Sequence, residues 1–147
     1  MRSLTLAYLL IGWCALFYAQ SPDNIEFKGI SFSMSNDKTS RSDLEPVVEV
    51  NANWISIVPY AFLQNDEVYY DSEYQWLGER PEAIRECVDL AHDMGLKVLL
   101  KPHVWIGFGS YTGTYTCASE EGWEKLEKTY KEYIMAFVDI AVEKKVE

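Results

Sequence analysis

"KVLLKPHVWIGFGS", residues 97–110, begins as a buried strand and ends as something else. Side chains alternate along a strand, so Val98, Leu100 and Val104 share one face while Leu99, Lys101, His103 and Trp105 share the other. The first face is uniformly apolar, as a surface covered by helices must be. The second turns polar and aromatic only towards its C-terminal end. That change of character marks a strand leaving a core and entering a ligand cleft.

Working outward, this stretch is the third of three strand–helix units. "FKGISFSM" (27–34) reads as a strand with Ile30 and Phe32 outward and Gly29, Ser31 and Ser33 inward. A helix is expected from Ser42, with Glu45 completing a capping box and Leu44, Val47 and Val48 as its apolar face. "WISIVPY" (54–60) is the second strand, ended by Pro59, with Ile55 and Ile57 towards helices and Ser56, Val58 and Tyr60 inward. The connection "AFLQNDEVYYDSEYQWLGE" (61–79) is too long for a routine turn, and loops of that length tend to carry function.

A second helix is predicted from Pro81 to Gly95, with Ile84, Cys87, Val88, Ala91 and Met94 recurring at helical spacing. After the third strand a Gly/Tyr/Thr-rich loop leads to Ser119, a cap with Glu120 and Glu121 in the first turn. Trp123, Leu126, Tyr130, Ile134, Phe137, Val138 and Ala141 then form a long stripe.

Strand alternating with helix implies parallel strands joined by right-handed crossovers. Three such units would leave both sheet edges open, and "EKKVE" (143–147) falls where a further strand is due. The expected fold is therefore α/β, an incomplete (β/α)8 barrel with the first three units present. In such a barrel the inner face at the C-terminal rim is where active sites are built. All three strands aim polar or aromatic groups at that rim.

Composition narrows the function. The chain has 147 residues, 48% hydrophobic and 14% aromatic, with a formal charge of −10. It presents no basic stripe for a nucleic-acid backbone. No GxGxxG or Walker loop follows the first strand, which argues against a small doubly wound phosphate-binding domain. His92 and His103 lack the partners of a zinc pattern, so neither a metal nor another cofactor is expected.

Residues 1–19 read as a secretory signal. Arg2 precedes the apolar run Leu4–Ala19, which is shorter than the roughly 20 residues a membrane-spanning helix needs. Cleavage is expected after Ala19, leaving a secreted or periplasmic protein of residues 20–147 with no membrane attachment. Cys14 leaves with the signal. Cys87 falls on an apolar helix face and Cys117 in a loop, where a buried thiol and a single bridge both stay open.

The connections are rich in aromatic residues, among them Tyr69, Tyr70, Tyr74, Trp76, Tyr111, Tyr115 and Trp123. Aromatic faces beside hydrogen-bonding groups suit sugars, which have an apolar C–H face and a hydroxylated edge. Tyr60, Trp76, Glu79, Lys101, His103 and Trp105 are the candidate substrate-binding residues. The plainer alternative gives Lys101 a buried acidic partner, His103 a loop carbonyl, and Trp105 and Trp123 a packing role.

Three segments carry a family resemblance: "QWLGERPEAI" (75–84), "KVLLKPHVWI" (97–106) and "GSYTGTY" (109–115) with "SEEGWEKLEKTYKEYI" (119–134). Together they resemble the N-terminal third of the barrel in glycoside hydrolase family 113, across roughly residues 27–145. The resemblance implies a retaining hydrolase of β-linked polysaccharide, β-mannan among the candidates, whose acid/base glutamate follows strand 4 and whose nucleophile follows strand 7. Neither catalytic motif occurs in this chain, so no catalytic residue is assigned and the chain alone is expected to be inactive. Glu79, in the family-like "WLGER", is expected to anchor its loop or touch substrate. The rival reading is a non-catalytic carbohydrate-binding or surface protein.

Overall fold

A computed structural model describes residues 27–107 and 111–147. The expected signal, residues 1–19, lies outside the described residues, as do residues 108–110 of the Gly/Tyr/Thr loop. The elements run β1 (Gly29–Ser33), α1 (Arg41–Glu49), β2 (Trp54–Val58), β3 (Tyr60–Gln64), β4 (Glu67–Tyr69), α2 (Pro81–Asp93), β5 (Lys97–Leu100), β6 (His103–Trp105) and α3 (Glu120–Lys144). Short 3₁₀ turns occupy Leu77–Glu79 and Thr112–Thr114.

β1, β2 and β5 lie side by side in that order, all parallel. This is the opening of the expected barrel. The second and third strands differ from the sequence expectation in one respect: each is interrupted. Pro59 divides β2 from β3, and Lys101–Pro102 divides β5 from β6. A proline has no N–H to give the ladder, so both strands lose a rung at the same level. Pairing nevertheless continues in one register, with Ile57 opposite Leu100 below the break and Tyr60 opposite His103 above it. Two bonds bridge the gap: the Lys101 N–H donates to the Ile57 carbonyl and the His103 N–H to the Pro59 carbonyl, both at 2.9 Å.

A buried helix side chain clamps this joint. The Tyr133 hydroxyl on α3 lies 3.1 Å from the Pro59 carbonyl and 3.0 Å from the His103 carbonyl, so one proton serves two acceptors. Around it the outward faces of the strands meet the helices. Ile55, Ile57 and Val98 are fully buried against Ile84, Val88, Phe137 and Ile140.

The connection 61–79 is not the irregular loop its length implied. Its first part is an antiparallel hairpin, β3 against β4, with Gln64 opposite Glu67. Asn65 and Asp66 turn it with φ of 52° and 57°. Positive φ at both central residues is the geometry that matches strand twist, and Asn and Asp tolerate it. The sequence signal was present in "AFLQNDEVYY", two apolar runs flanking Asn-Asp.

Smaller corrections concern the helices. α1 starts upstream of Ser42: the Ser40 N–H donates to Asp43 Oδ2 at 2.8 Å and the Ser40 hydroxyl to the same oxygen at 2.7 Å. Two Ser/acid patterns overlap here, and the upstream carboxylate satisfies the free amide. Leu44 and Val47 are buried, whereas Val48 is exposed. On α3 the buried residues are Gly122, Tyr133, Phe137 and Ile140, while Trp123, Tyr130 and Val138 lie largely open. Two apolar spacings interleave along that helix, and the one led by Tyr133 faces the sheet. α2 ends as expected, with Gly95 at φ 78° past its last turn.

Candidate carbohydrate cleft

Above the proline breaks the inward-facing residues are aromatic. Tyr60 and His103 meet edge to face at 5.3 Å, and one layer further up Phe62 and Trp105 do the same at 5.6 Å. Each pair sits opposite in the β3–β6 register, so alternation alone places both pairs on one face. Such edge-to-face contacts hold the ring orientations.

The segment that follows β4 brings the remaining residues to this face. Gln75, nearly fully buried, donates through Nε2 to the Tyr60 carbonyl and accepts the Asp71 N–H. Arg80 turns its guanidinium onto the Gln75 carbonyl at 3.2 Å. The turn carrying Glu79 is pressed against the β1–α1 loop, where the Gly78 N–H donates to the Ser35 carbonyl at 3.2 Å. A Cβ at Gly78 would stand 2.7 Å from both the Ser35 and Asp37 carbonyl oxygens. Only glycine permits that approach, which explains the "LGE" in physical terms.

The result is a cleft of about 320 Å³ bounded by Ser33, Met34, Tyr60, Trp76, Glu79 and Trp105. Four candidates named from sequence (Tyr60, Trp76, Glu79 and Trp105) therefore share one hollow. A neighbouring hollow of about 670 Å³ is bounded by Gln64, Tyr69, Tyr74 and again Phe62 and Trp105. Phe62 and Trp105 border both hollows.

Lys101 and His103 sit elsewhere. Lys101 borders a separate hollow of about 340 Å³ lower on the inner face, beside Ser31, Ser56 and Leu99. His103 is engaged with Tyr60 and is not among the residues bounding the cleft. Phe62, missed in the sequence, belongs to the cleft; extending the two-residue period from Tyr60 past Pro59 finds it.

Glu79 is the polar feature of the cleft. It is 4% exposed, and burial pushes its carboxyl up to about 7. Among the described residues, no side chain hydrogen-bonds or ion-pairs with that carboxylate. The Tyr133 hydroxyl is pushed well above the usual phenol range, by burial first and by the nearby Glu79 charge second. A carboxyl beside apolar rings and without a donor is a group awaiting one.

Among the described residues there is no cluster of three or more metal-ligating side chains. Cys87 and Cys117 are both free and buried. Burial holds the Cys87 thiol at about 11, protonated and unreactive.

The sequence model of Glycoside Hydrolase Family 113 matches residues 26–147. Among solved structures, the chain is similar to the GH113 β-mannanase AaManA from Alicyclobacillus acidocaldarius in complex with ManMIm. That match has a TM-score of 0.72 and 22% identity, covering 86% of this chain and 44% of that one. It is also similar to a structure of a GH113 β-1,4-mannanase (TM-score 0.67, 21% identity, 82% and 43% covered) and to a complex structure of a GH113 β-1,4-mannanase (0.66, 20%, 82% and 43%). No curated protein matches. The chain thus spans less than half the length of the solved structures it resembles.

Proposed function

This chain belongs to glycoside hydrolase family 113, and from that premise we propose that its aromatic cleft binds a β-1,4-linked hexose chain of the mannan type. One observation carries the reading: Tyr60, Trp76 and Trp105 converge with a single buried carboxyl at the C-terminal ends of parallel strands. Ring faces take the C–H surface of a sugar, and the carboxyl takes its hydroxyls. The second hollow, bordered by the same Phe62 and Trp105, gives such a chain room for more than one ring.

Retaining hydrolysis needs two carboxyl groups about 5–5.5 Å apart across the scissile bond. Among the described residues Glu79 is the one carboxylate bordering either hollow. The reading therefore has this chain bind oligosaccharide without cleaving it. The test is to titrate purified chain with β-1,4-manno-oligosaccharides while following products by chromatography. Saturable binding with no shortened product is expected. Turnover by sequence-verified chain would sink the inactive reading, and no binding would sink the carbohydrate one.

Residues 1–19 fit the same picture as an export signal. An exported chain should begin at Gln20, which N-terminal sequencing of secreted material checks; recovery of an intact leader would refute it.

A further inference from the structure

Glu79 stands apart from every other acidic side chain described. It is 4% exposed, it borders the cleft, and no described side chain donates to it. Its position is not accidental slack. The turn beneath it is fixed by the Gly78–Ser35 backbone contact, and the Glu79 N–H is itself bonded to the Trp76 carbonyl at 3.0 Å. A rigid, unpartnered acceptor beside two indole rings is built for donors that arrive with the ligand.

Resting on the carbohydrate reading above, we propose that Glu79 is the polar anchor of the cleft, its carboxylate accepting two neighbouring hydroxyls of a sugar ring seated against Trp76 and Trp105. An ionised carboxylate is acceptor-only and offers two oxygens, which matches a vicinal diol as two parallel O–H···O⁻ bonds. A protonated carboxyl would set its own hydrogen against one of those donors.

This chemistry makes ligand binding proton-linked. The free carboxyl titrates at about 7 because burial disfavours its charge. Sugar hydroxyls favour the charged form, so the complex titrates lower and binding near neutrality releases a proton. Affinity is then greatest above neutrality and declines as pH falls through about 7.

The charged and titratable groups on the surrounding elements are few. Tyr133 approaches from α3 and stays protonated throughout this range. Tyr60 borders the cleft from β3, and His103 lies behind it on β6. Arg80, next in sequence, is committed to the Gln75 carbonyl. Asp37 presents a backbone carbonyl to the Gly78 turn, and Glu82 lies in the first turn of α2. His103, whose imidazole meets Tyr60 edge to face, must be separated from Glu79 by experiment.

The experiment is calorimetric titration of the chain with β-1,4-mannotetraose, in two buffers of different ionisation heat. Wild type is expected to bind roughly tenfold tighter at about pH 8.5 than at about pH 5.5, with proton release near neutrality. Glu79→Gln, with its fold checked by circular dichroism, is expected to lose about tenfold in affinity at the higher pH and to show no proton release. His103→Gln, whatever its absolute affinity, should keep the wild-type fall in affinity with pH and the proton release. A flat wild-type profile, or one that tightens as pH falls, overturns the proposal while leaving sugar binding intact. So does a Glu79→Gln chain that keeps the wild-type pH dependence. A folded wild-type chain that binds no oligosaccharide at any pH removes the carbohydrate reading and this inference together.

Discussion

Below Pro59 and Pro102 the inner face of the sheet carries Ser31, Ser56 and Leu99; above them it carries Tyr60, His103, Phe62 and Trp105. The two regions share one register across their central strands and differ in side chains and in the flanking strand, parallel β1 below and antiparallel β4 above. Outward, the lower strands bury Ile55, Ile57 and Val98 completely, which anchors the sheet on its helices. Outward above the break, Ala61 is buried and Leu63 and Val104 pack at the margin of the core. A continuous register thus lets the lower region supply cohesion and the upper region spend its inward positions on recognition. The comparison teaches that the proline break changes the task of the strand without changing its course.

The joint is the place to break that comparison. Tyr133→Phe keeps the ring that packs on Phe137 and Tyr70 but removes the proton shared by the Pro59 and His103 carbonyls. Leaving buried acceptors without a donor should lower stability by about 1–3 kcal/mol, read from the midpoint of urea unfolding at unchanged slope. Sugar affinity should fall as well, because Tyr60 and His103 flank those two carbonyls. An unchanged midpoint would mean that the two regions are joined by their ladder alone.

How far these regions were legible in the sequence follows from the same physics. The lower region was plain, because a strand buried on one face against helices must be apolar there, and "WISIV" and "KVLL" obey. The cleft was half legible. Trp76 and Trp105 stood out by type, and Glu79 by its place beside them. Phe62 was hidden because Pro59 reads as a strand end, while the chain resumes the ladder one residue later. The hairpin was signalled only weakly, because Asn65-Asp66 between its apolar runs lacks the glycine that usually advertises such a turn. Lys101 could not be placed by alternation, which fixes the face a side chain occupies and not its height along that face. Tyr133 was missed because a phenol midway along an amphipathic helix looks no different from Tyr130, its exposed neighbour.

The smallest effect concerns how firmly the upper region is held. β4 rests on α3 through the buried Val68 and a few polar bonds. The Val68 N–H donates to Thr129 Oγ1 at 3.0 Å and Lys125 pairs with Glu67 at 2.7 Å, while in the turn before β4 Asp66 Oδ1 accepts the Tyr115 hydroxyl at 2.6 Å. Of these the Lys125–Glu67 pair is solvent-exposed and open to screening by salt. Lys125→Ala should therefore leave global unfolding unchanged and raise amide exchange only in Phe62–Tyr69, by a few-fold at low salt. The difference should vanish at high salt. β2 and β5 should exchange as before, since their protection comes from the apolar burial of Ile55, Ile57 and Val98, which salt does not weaken. If their amides accelerate by the same factor as the hairpin, the two regions open as one unit, and the division at the prolines is one of chemistry alone. If only the hairpin responds, the platform bearing Tyr69 can loosen around a ligand while the sheet beneath it stays closed.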